Sequence, residues 1–299
     1  MAKGLAGGRT NTLGILWSLT GPHLSASMAE NISLRSHRHG YATQLVNHLS
    51  DPTITLKSLN DFKRRGVDAV VMQDVNGVLE TPGITEVLGE FTVAVVVGST
   101  PWKTSINQIH HDRLPACRQV AQHFAASGRR RPAILANVGS NDRKIQAFLE
   151  SAAQHSMGVT NDSLMQVTRK PDLSLAQNCW RTLEEHFGNG RQFKFDAVFC
   201  LNDEGAVATI NWLAKRGLRV SDDVAVVGFN DNQINGYLNP PLASVDRRDD
   251  QVAATIDEII FSQLSQSDSS PQRRYIPMRF AWRESAGGVE GFSISGGLS

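Results

Sequence analysis

Short apolar runs rich in β-branched residues alternate along this chain with longer stretches in which apolar residues recur every three or four positions. The first kind reads as strands buried on both faces, the second as amphipathic helices lying against them. The pattern predicts strands over 13–17, 41–46, 69–73, 92–97 and 108–111, with helices over 26–38, 54–65, 84–88 and 114–127. It then starts again, with strands over 133–136, 164–167, 197–201 and 224–229 and helices over 142–155, 175–187 and 204–216. Each strand–helix unit takes about 20–30 residues, the length that a right-handed crossover between parallel strands requires. Two such series predict an α/β fold of two doubly wound parallel-sheet subdomains. After Pro240-Pro241 one helix, 250–264, and one strand-like stretch, 274–282, are left over. They are accommodated if the chain returns to the first lobe and then to the second. The first subdomain is then expected to comprise 11–129 plus 244–272, the second 130–243 plus 273–287, with several crossovers between them. Ligands of open α/β sheets bind beyond the carboxyl ends of the strands, so a cleft lined by residues just after strands is the expected site. The Gly- and Ser-rich tail, 288–299, is expected to be disordered.

Composition narrows the function. The chain has 299 residues, 40% hydrophobic and 20% charged, enough for two lobes with ordinary cores. Its apolar runs fall far short of a bilayer span, and residues 1–8 lack the apolar centre of a signal peptide, so a cytoplasmic location is expected. Cys117, Cys179 and Cys200 lack metal-site spacing, and an odd count argues against a disulfide framework. They are expected to be reduced and buried. The net charge is only +1, and the one tight basic run, Arg129-Arg130-Arg131, reads as a solvated linker before Pro132. As it stands the chain does not look like a self-sufficient DNA binder, which would need a basic face. None of the nine histidines has a zinc-protease spacing, and no glycine-rich dinucleotide loop follows the first strand. No catalytic constellation, metal or cofactor is expected. The expected function is binding, by polar groups at strand ends.

An ordered set of segments resembles LacI-type transcriptional regulators, the lactose and purine repressor family. Arg9-Thr10-Asn11-Thr12-Leu13-Gly14-Ile15-Leu16 looks like the junction between hinge helix and core. His39-Gly40-Tyr41 and Arg65-Gly66-Val67-Asp68-Ala69-Val70-Val71 follow the family's second strand, helix and third strand. Phe195-Asp196-Ala197-Val198-Phe199-Cys200-Leu201-Asn202-Asp203 and Val224-Ala225-Val226-Val227-Gly228-Phe229-Asn230-Asp231 are similar to its strand-end signatures. Pro240-Pro241-Leu242-Ala243-Ser244-Val245 and Trp282-Arg283-Glu284-Ser285 resemble its closing segments. The resemblance covers nearly all of 2–286. It implies an effector-binding and dimerising core, repressor type, with the fold of type I periplasmic binding proteins. It implies a homodimer that reaches operator DNA only in a full-length protein, since the helix-turn-helix headpiece of such regulators has no counterpart here. The chain opens mid-hinge, and 1–10 reads as a hinge-helix remnant of a longer regulator, with Leu5 at the family's minor-groove wedge.

The resemblance also implies effector-binding positions, each with a structural alternative. Ser18 follows the first strand and would otherwise cap a helix. Asp112 closes the strand before 114–127; a carboxylate there can accept two sugar hydroxyls, or simply cap the helix. Lys144 aligns with a ligand-reaching arginine of the family and Arg143 lies one residue early; surface charge is the alternative for both. Leu173 stands where relatives place a stacking aromatic ring, and core packing is its expected role. Asn202 is expected to be free to meet the ligand if Asp203 caps the following helix. Asn230 replaces an aspartate usual in relatives, and Asp231 follows it. A small polar effector is implied, sugar-like, with a nucleoside or purine also open. A periplasmic-type sugar-binding protein and a hydrolase on the same scaffold are the alternatives.

Overall fold

The computed structural model describes residues 8–19, 24–75, 77–98, 101, 103–188, 190–265 and 270–288. Leu5 and the rest of 1–7 lie outside the described residues, as do 289–299. The apolar runs become strands because helices cover both of their faces. In chain order the elements begin β1 (Thr12–Trp17), α1 (Leu24–Arg38), β2 (Ala42–Asn47), α2 (Pro52–Arg64) and β3 (Ala69–Gln73). A short α3 (Ile84–Leu88) leads to β4 (Val93–Gly98) and β5 (Asn107–Asp112). The second series runs α4 (Leu114–Ala126), β6 (Pro132–Ala136), α5 (Arg143–Gln154), β7 (Leu164–Gln166) and α6 (Leu175–Phe187). It continues with β8 (Ala197–Cys200), α7 (Asp203–Lys215), β9 (Ala225–Asn230) and β10 (Ala243–Asp246). Then come α8 (Asp249–Ser265), β11 (Arg273–Pro277) and β12 (Arg279–Ala281).

These elements form two units. The first gathers the described residues of Met1–Asp112 and Arg248–Ile276; the second those of Arg113–Arg247 and Pro277–Ser299. The first sheet has the order β11-β5-β4-β3-β1-β2, with β1 through β5 paired in parallel. The second has the order β12-β10-β9-β8-β6-β7, parallel except where β12 runs antiparallel to β10. In each sheet the chain first builds one way and then the other. The reversal leaves a switch point between β1 and β3 in one unit and between β6 and β8 in the other.

Alternation along the strands feeds two cores per sheet. In β8, Ala197 and Phe199 join α4 and α5 residues such as Phe124 and Phe148, while Val198 and Cys200 face Leu183 and Trp212 of α6 and α7. In β4, Val93, Val95 and Val97 pack with Ile256 and Ile260 of α8, while Ala94 and Val96 pack with Leu59 and Phe62 of α2. Helix α2 buries Thr55, Ser58, Leu59 and Phe62, the spacing of one helical face. Its start is set by Asp51, whose carboxylate accepts from the Thr53 and Ile54 amides, with Pro52 at the first position.

Three expectations need correction. Ala243–Asp246 is a strand that the periodicity did not predict. The stretch 274–282 is two strands rather than one: β11 completes the first sheet and β12 the second. Ile276 enters one core and Met278 the other, so their alternation imitates a single strand. Helix α4, placed in the first subdomain from sequence, belongs to the second unit, because Ala116, Cys117, Val120, Ala121 and Phe124 pack with Ile134, Ile145 and Phe148.

Gly14 marks a close approach of strand β1 to helix α2 in the first unit. A Cβ there would lie 2.5 Å from the Phe62 ring, which is itself locked in the core. Gly14→Ala is expected to cost about 1–3 kcal/mol through overpacking. A lower urea midpoint at unchanged slope checks this; an unchanged midpoint refutes it.

Candidate functional site

In the second unit the residue that follows β8, past Leu201, is Asn202, beside the switch point. It takes an extended conformation and caps α7: its Oδ1 accepts from the Gly205 amide at 2.6 Å. That bond fixes which side-chain atom is oxygen, since an amide nitrogen would not accept there. Asn202 is only 3% exposed, and its Nδ2 has no partner among the described residues. The sequence expectation is therefore inverted. Asn202 is the cap, and Asp203 is not.

Asp203 instead turns inward. Its Oδ1 accepts from the Ser244 hydroxyl at 2.6 Å and its Oδ2 from the Asn232 amide at 2.8 Å. Burial pushes its pKa up to about 6 even though these bonds pull the other way. Gly228 on β9 is required by this packing, since a Cβ would come within 2.3 Å of Asp203 Oδ1. Ser244 also accepts from the Asp231 amide at 3.1 Å. The Asp231 carboxylate is held by Arg283 at 2.7 and 3.2 Å, a two-point pair. Asn230 and Asp231 have φ of 106° and 57°, a reversal of the backbone at the strand end that non-glycine residues rarely adopt. Asp231 is thus engaged inside the protein rather than left over for a ligand.

The loop after β6 enters α5 through Asp142, whose carboxylate accepts from the Lys144 amide at 2.8 Å. Arg143 is exposed. Lys144 is 9% exposed, with its ammonium 5.0 Å from the centre of the Phe229 ring. Burial lowers its pKa, Asp142 opposes that, and Arg113 adds to it. Leu173 is half-buried in the turn before α6, outside the buried clusters, and its carbonyl accepts from Asn178. The expected core role is not what it has.

In the first unit Ser18 follows β1 and is 5% exposed. Its amide donates to Gln73 Oε1 at 3.2 Å and its hydroxyl accepts from Ser50 at 3.2 Å. Asp112 is the half-buried last residue of β5. It does not cap α4, whose N-cap is Arg113 with no side-chain capping bond. Sequence reasoning passed over His48 and His110, fully buried beyond β2 and within β5. Burial lowers the pKa of both, so their neutral form is favoured. Ser244, Arg113 and Gln73 were also passed over as polar groups close to strand ends, and Asp203 was expected only as a helix cap. Among the described residues no group of His, Cys, Asp and Glu could hold a metal ion, and no helix is long and apolar enough to cross a membrane.

Residues 121–286 match the model of the periplasmic binding protein-like domain. Catabolite control protein A of Staphylococcus xylosus is 22% identical over 287 residues, covering 95% of this chain and 84% of that protein. A transcriptional regulator CelR–cellobiose complex superposes with a TM-score of 0.74 at 19% identity, covering 93% of this chain and 85% of that one. A LacI family transcriptional regulator from Enterococcus faecium with bound ribose gives 0.74 at 18% identity, covering 93% and 100%.

The Asp203 carboxyl makes a testable pH signature. Its pKa is about 6 folded against 3.8 as a free group. Below 3.8 both states hold the proton; between the two values only the folded state does. The associated stability is therefore fully present at low pH and is lost as pH rises through about 6. The shift corresponds to about 3 kcal/mol at most. In Asp203→Asn that pH dependence should vanish, so the variant should gain on wild type by up to this amount between pH 4 and 7. Parallel denaturation curves across that range would contradict the assignment.

Proposed function

The chain belongs to the periplasmic binding protein-like domain family and has the effector-binding core of LacI-type regulators, and from that premise we propose that it binds a small sugar-like effector at its strand ends. Its relatives are transcriptional regulators, not enzymes. The residues proposed to meet the effector are Asn202, Asn230 and Lys144 in the second unit, with Ser18 and Asp112 in the first. Asp231 is proposed to act indirectly, by holding the β9 end in its reversed conformation against Arg283.

The observation that carries this reading is the Asn202 amide. A buried N–H pair without an acceptor costs about 1–3 kcal/mol, and proteins rarely retain one without a use. A ligand hydroxyl or ring oxygen would satisfy it. Sugars suit such a site, since each hydroxyl both donates and accepts, and cellobiose and ribose occupy two of the structural neighbours. We further propose a homodimer that reaches operator DNA through a headpiece in a full-length protein. Effector acts there by differential affinity for two conformations, and operator and effector must then influence each other's binding by the same factor.

Thermal-shift screening against pentoses, hexoses, disaccharides, nucleosides and purines should return stabilising compounds from the sugar set. Asn202→Ser keeps a capping oxygen while removing the amide donor, so it should fold normally and lose about tenfold in affinity. Asp112→Ala should lose at least as much. Normal binding by both variants would refute the site.

A further inference from the structure

Two turns of the first unit flank the entry of the chain into β1. Strand β1 lies between β2 and β3 in the sheet, and all three run parallel. Helices α1 and α2, which feed β2 and β3, therefore end beside the start of β1. Hydrogen bonds hold residues 10–12 between the two turns. On one side the Ala42 amide donates to the Asn11 carbonyl at 2.8 Å. On the other the Thr10 and Thr12 amides donate to the Asp68 carboxylate at 3.1 and 3.2 Å, and the Thr10 hydroxyl donates to the Gly66 carbonyl at 2.7 Å. Arg9 donates to the Leu264 carbonyl near the end of α8.

Both turns are basic. The first carries His37, Arg38 and His39, the second Lys63, Arg64 and Arg65, and all six are exposed, as is Arg9. The one carboxylate within the turns, Asp68, is 7% exposed and already taken by the threonine amides. His39 meets Asp257 of α8, Lys63 pairs with Glu90 and Arg64 with Asp61, surface pairs that hold their partners weakly. Arg38 and Arg65 have no ion pair among the described residues, and Arg65 only approaches Gln44 Oε1 at 3.5 Å. No run in the sequence reveals this rim, because it is assembled from residues 9, 37–39 and 63–65. The single tight basic run, Arg129-Arg130-Arg131, lies in the second unit.

We propose that this rim is a DNA-contacting surface of the core itself, where Arg38, Arg64 and Arg65 lie against backbone phosphates of a duplex on both sides of the entering chain. The proposal rests on the reading above that operator DNA is reached through a segment preceding Arg9, which puts the duplex on this side of the first unit. It goes beyond that reading by giving core residues a share of the contacts. Guanidinium groups meet phosphate oxygens two at a time, and such contacts position a protein on a duplex without reading its sequence. The rim therefore adds affinity on any sequence, and that affinity is sensitive to salt, because each neutralised phosphate releases counterions.

Fluorescence anisotropy with a labelled duplex of arbitrary sequence tests this on the 299-residue chain. Wild type should bind the duplex weakly, and between about 50 and 200 mM salt three phosphate contacts should weaken that binding about 40-fold. The double variant Arg38→Gln/Arg65→Gln should keep its melting temperature, lose at least about tenfold in affinity at low salt and reduce the logarithmic salt slope by about 2. Arg130→Gln/Arg131→Gln removes the same charge from the second unit and should bind as wild type does. No binding by wild type at low salt, or equal losses in the two double variants, would overturn the proposal. A lower melting temperature of Arg38→Gln/Arg65→Gln with unchanged duplex binding would show that these cations serve only the helix ends, and would overturn it as well. Polyglutamate bound as tightly as duplex, with the same loss in Arg38→Gln/Arg65→Gln, would replace DNA by an acidic protein partner. Failure here leaves the effector reading standing, since the sugar screen does not involve the rim; duplex binding intact with no effector found would do the reverse.

Discussion

A parallel strand with helices on both sides has nowhere to put a polar side chain except near its ends. Val224–Val227 and Val93–Val97 are buried throughout, and their side chains alternate between two apolar cores. Many of the polar groups that the sheets position are thereby gathered near strand ends, where β1, β3, β6 and β8 open onto switch points; β5 differs, burying Asn107, Gln108 and His110 along its length. The apolar interior and the polar rim are one constraint seen from two sides. The rim is held as firmly as the core, because strands anchored on both faces have little freedom to shift.

Within the second unit that rim is organised by a buried acid. Asp203 links the start of α7 to the end of β9 through Asn232, and to β10 through Ser244. Ser244 joins Asp231, and Asp231 joins Arg283 near the far end of the chain. Four separated segments thus share one hydrogen-bonded path, and each needs the others to satisfy it. Gly228 belongs to the same arrangement, since only a missing side chain lets the carboxylate approach the strand.

Much of this architecture was legible from periodicity. Helices over Ile84–Leu88 and Leu175–Phe187 fall where the pattern put them, because their apolar spacing has a single helical reading. The end of the chain was harder. Four residues, Ala243–Asp246, are too few to show a period, and the stretch through Ile276 and Met278 alternates regularly while serving two cores. At the site, strand ends pointed to Ser18, Asp112 and Asn202, but not to what each side chain does. Asn and Asp cap helices about equally well, so the sequence could not say which of Asn202 and Asp203 would cap α7. Only the space beside Gly228 and the hydroxyl of Ser244 decide it, and both come from distant segments. Resemblance put Lys144 at a ligand-reaching position with Arg143 one residue early, and only the packing of α4 against α5 shows that the first is buried and the second exposed.

The chain passes between its units after Asp112, after Arg247 and after Ile276. Neither unit is therefore a continuous stretch, and the order of synthesis matters. When a ribosome has made the first five strands, the face of their sheet that will meet Val252, Ile256, Ile259 and Ile260 is covered only in part, by Met28, Ala29 and Ile32 of α1, and its outer strand β11 does not yet exist. The rest of the cover arrives only after nearly all of the second unit has emerged. The nascent chain carries a partly open apolar face while residues 113–248 are made, and during that interval this half of the molecule is the one exposed to aggregation.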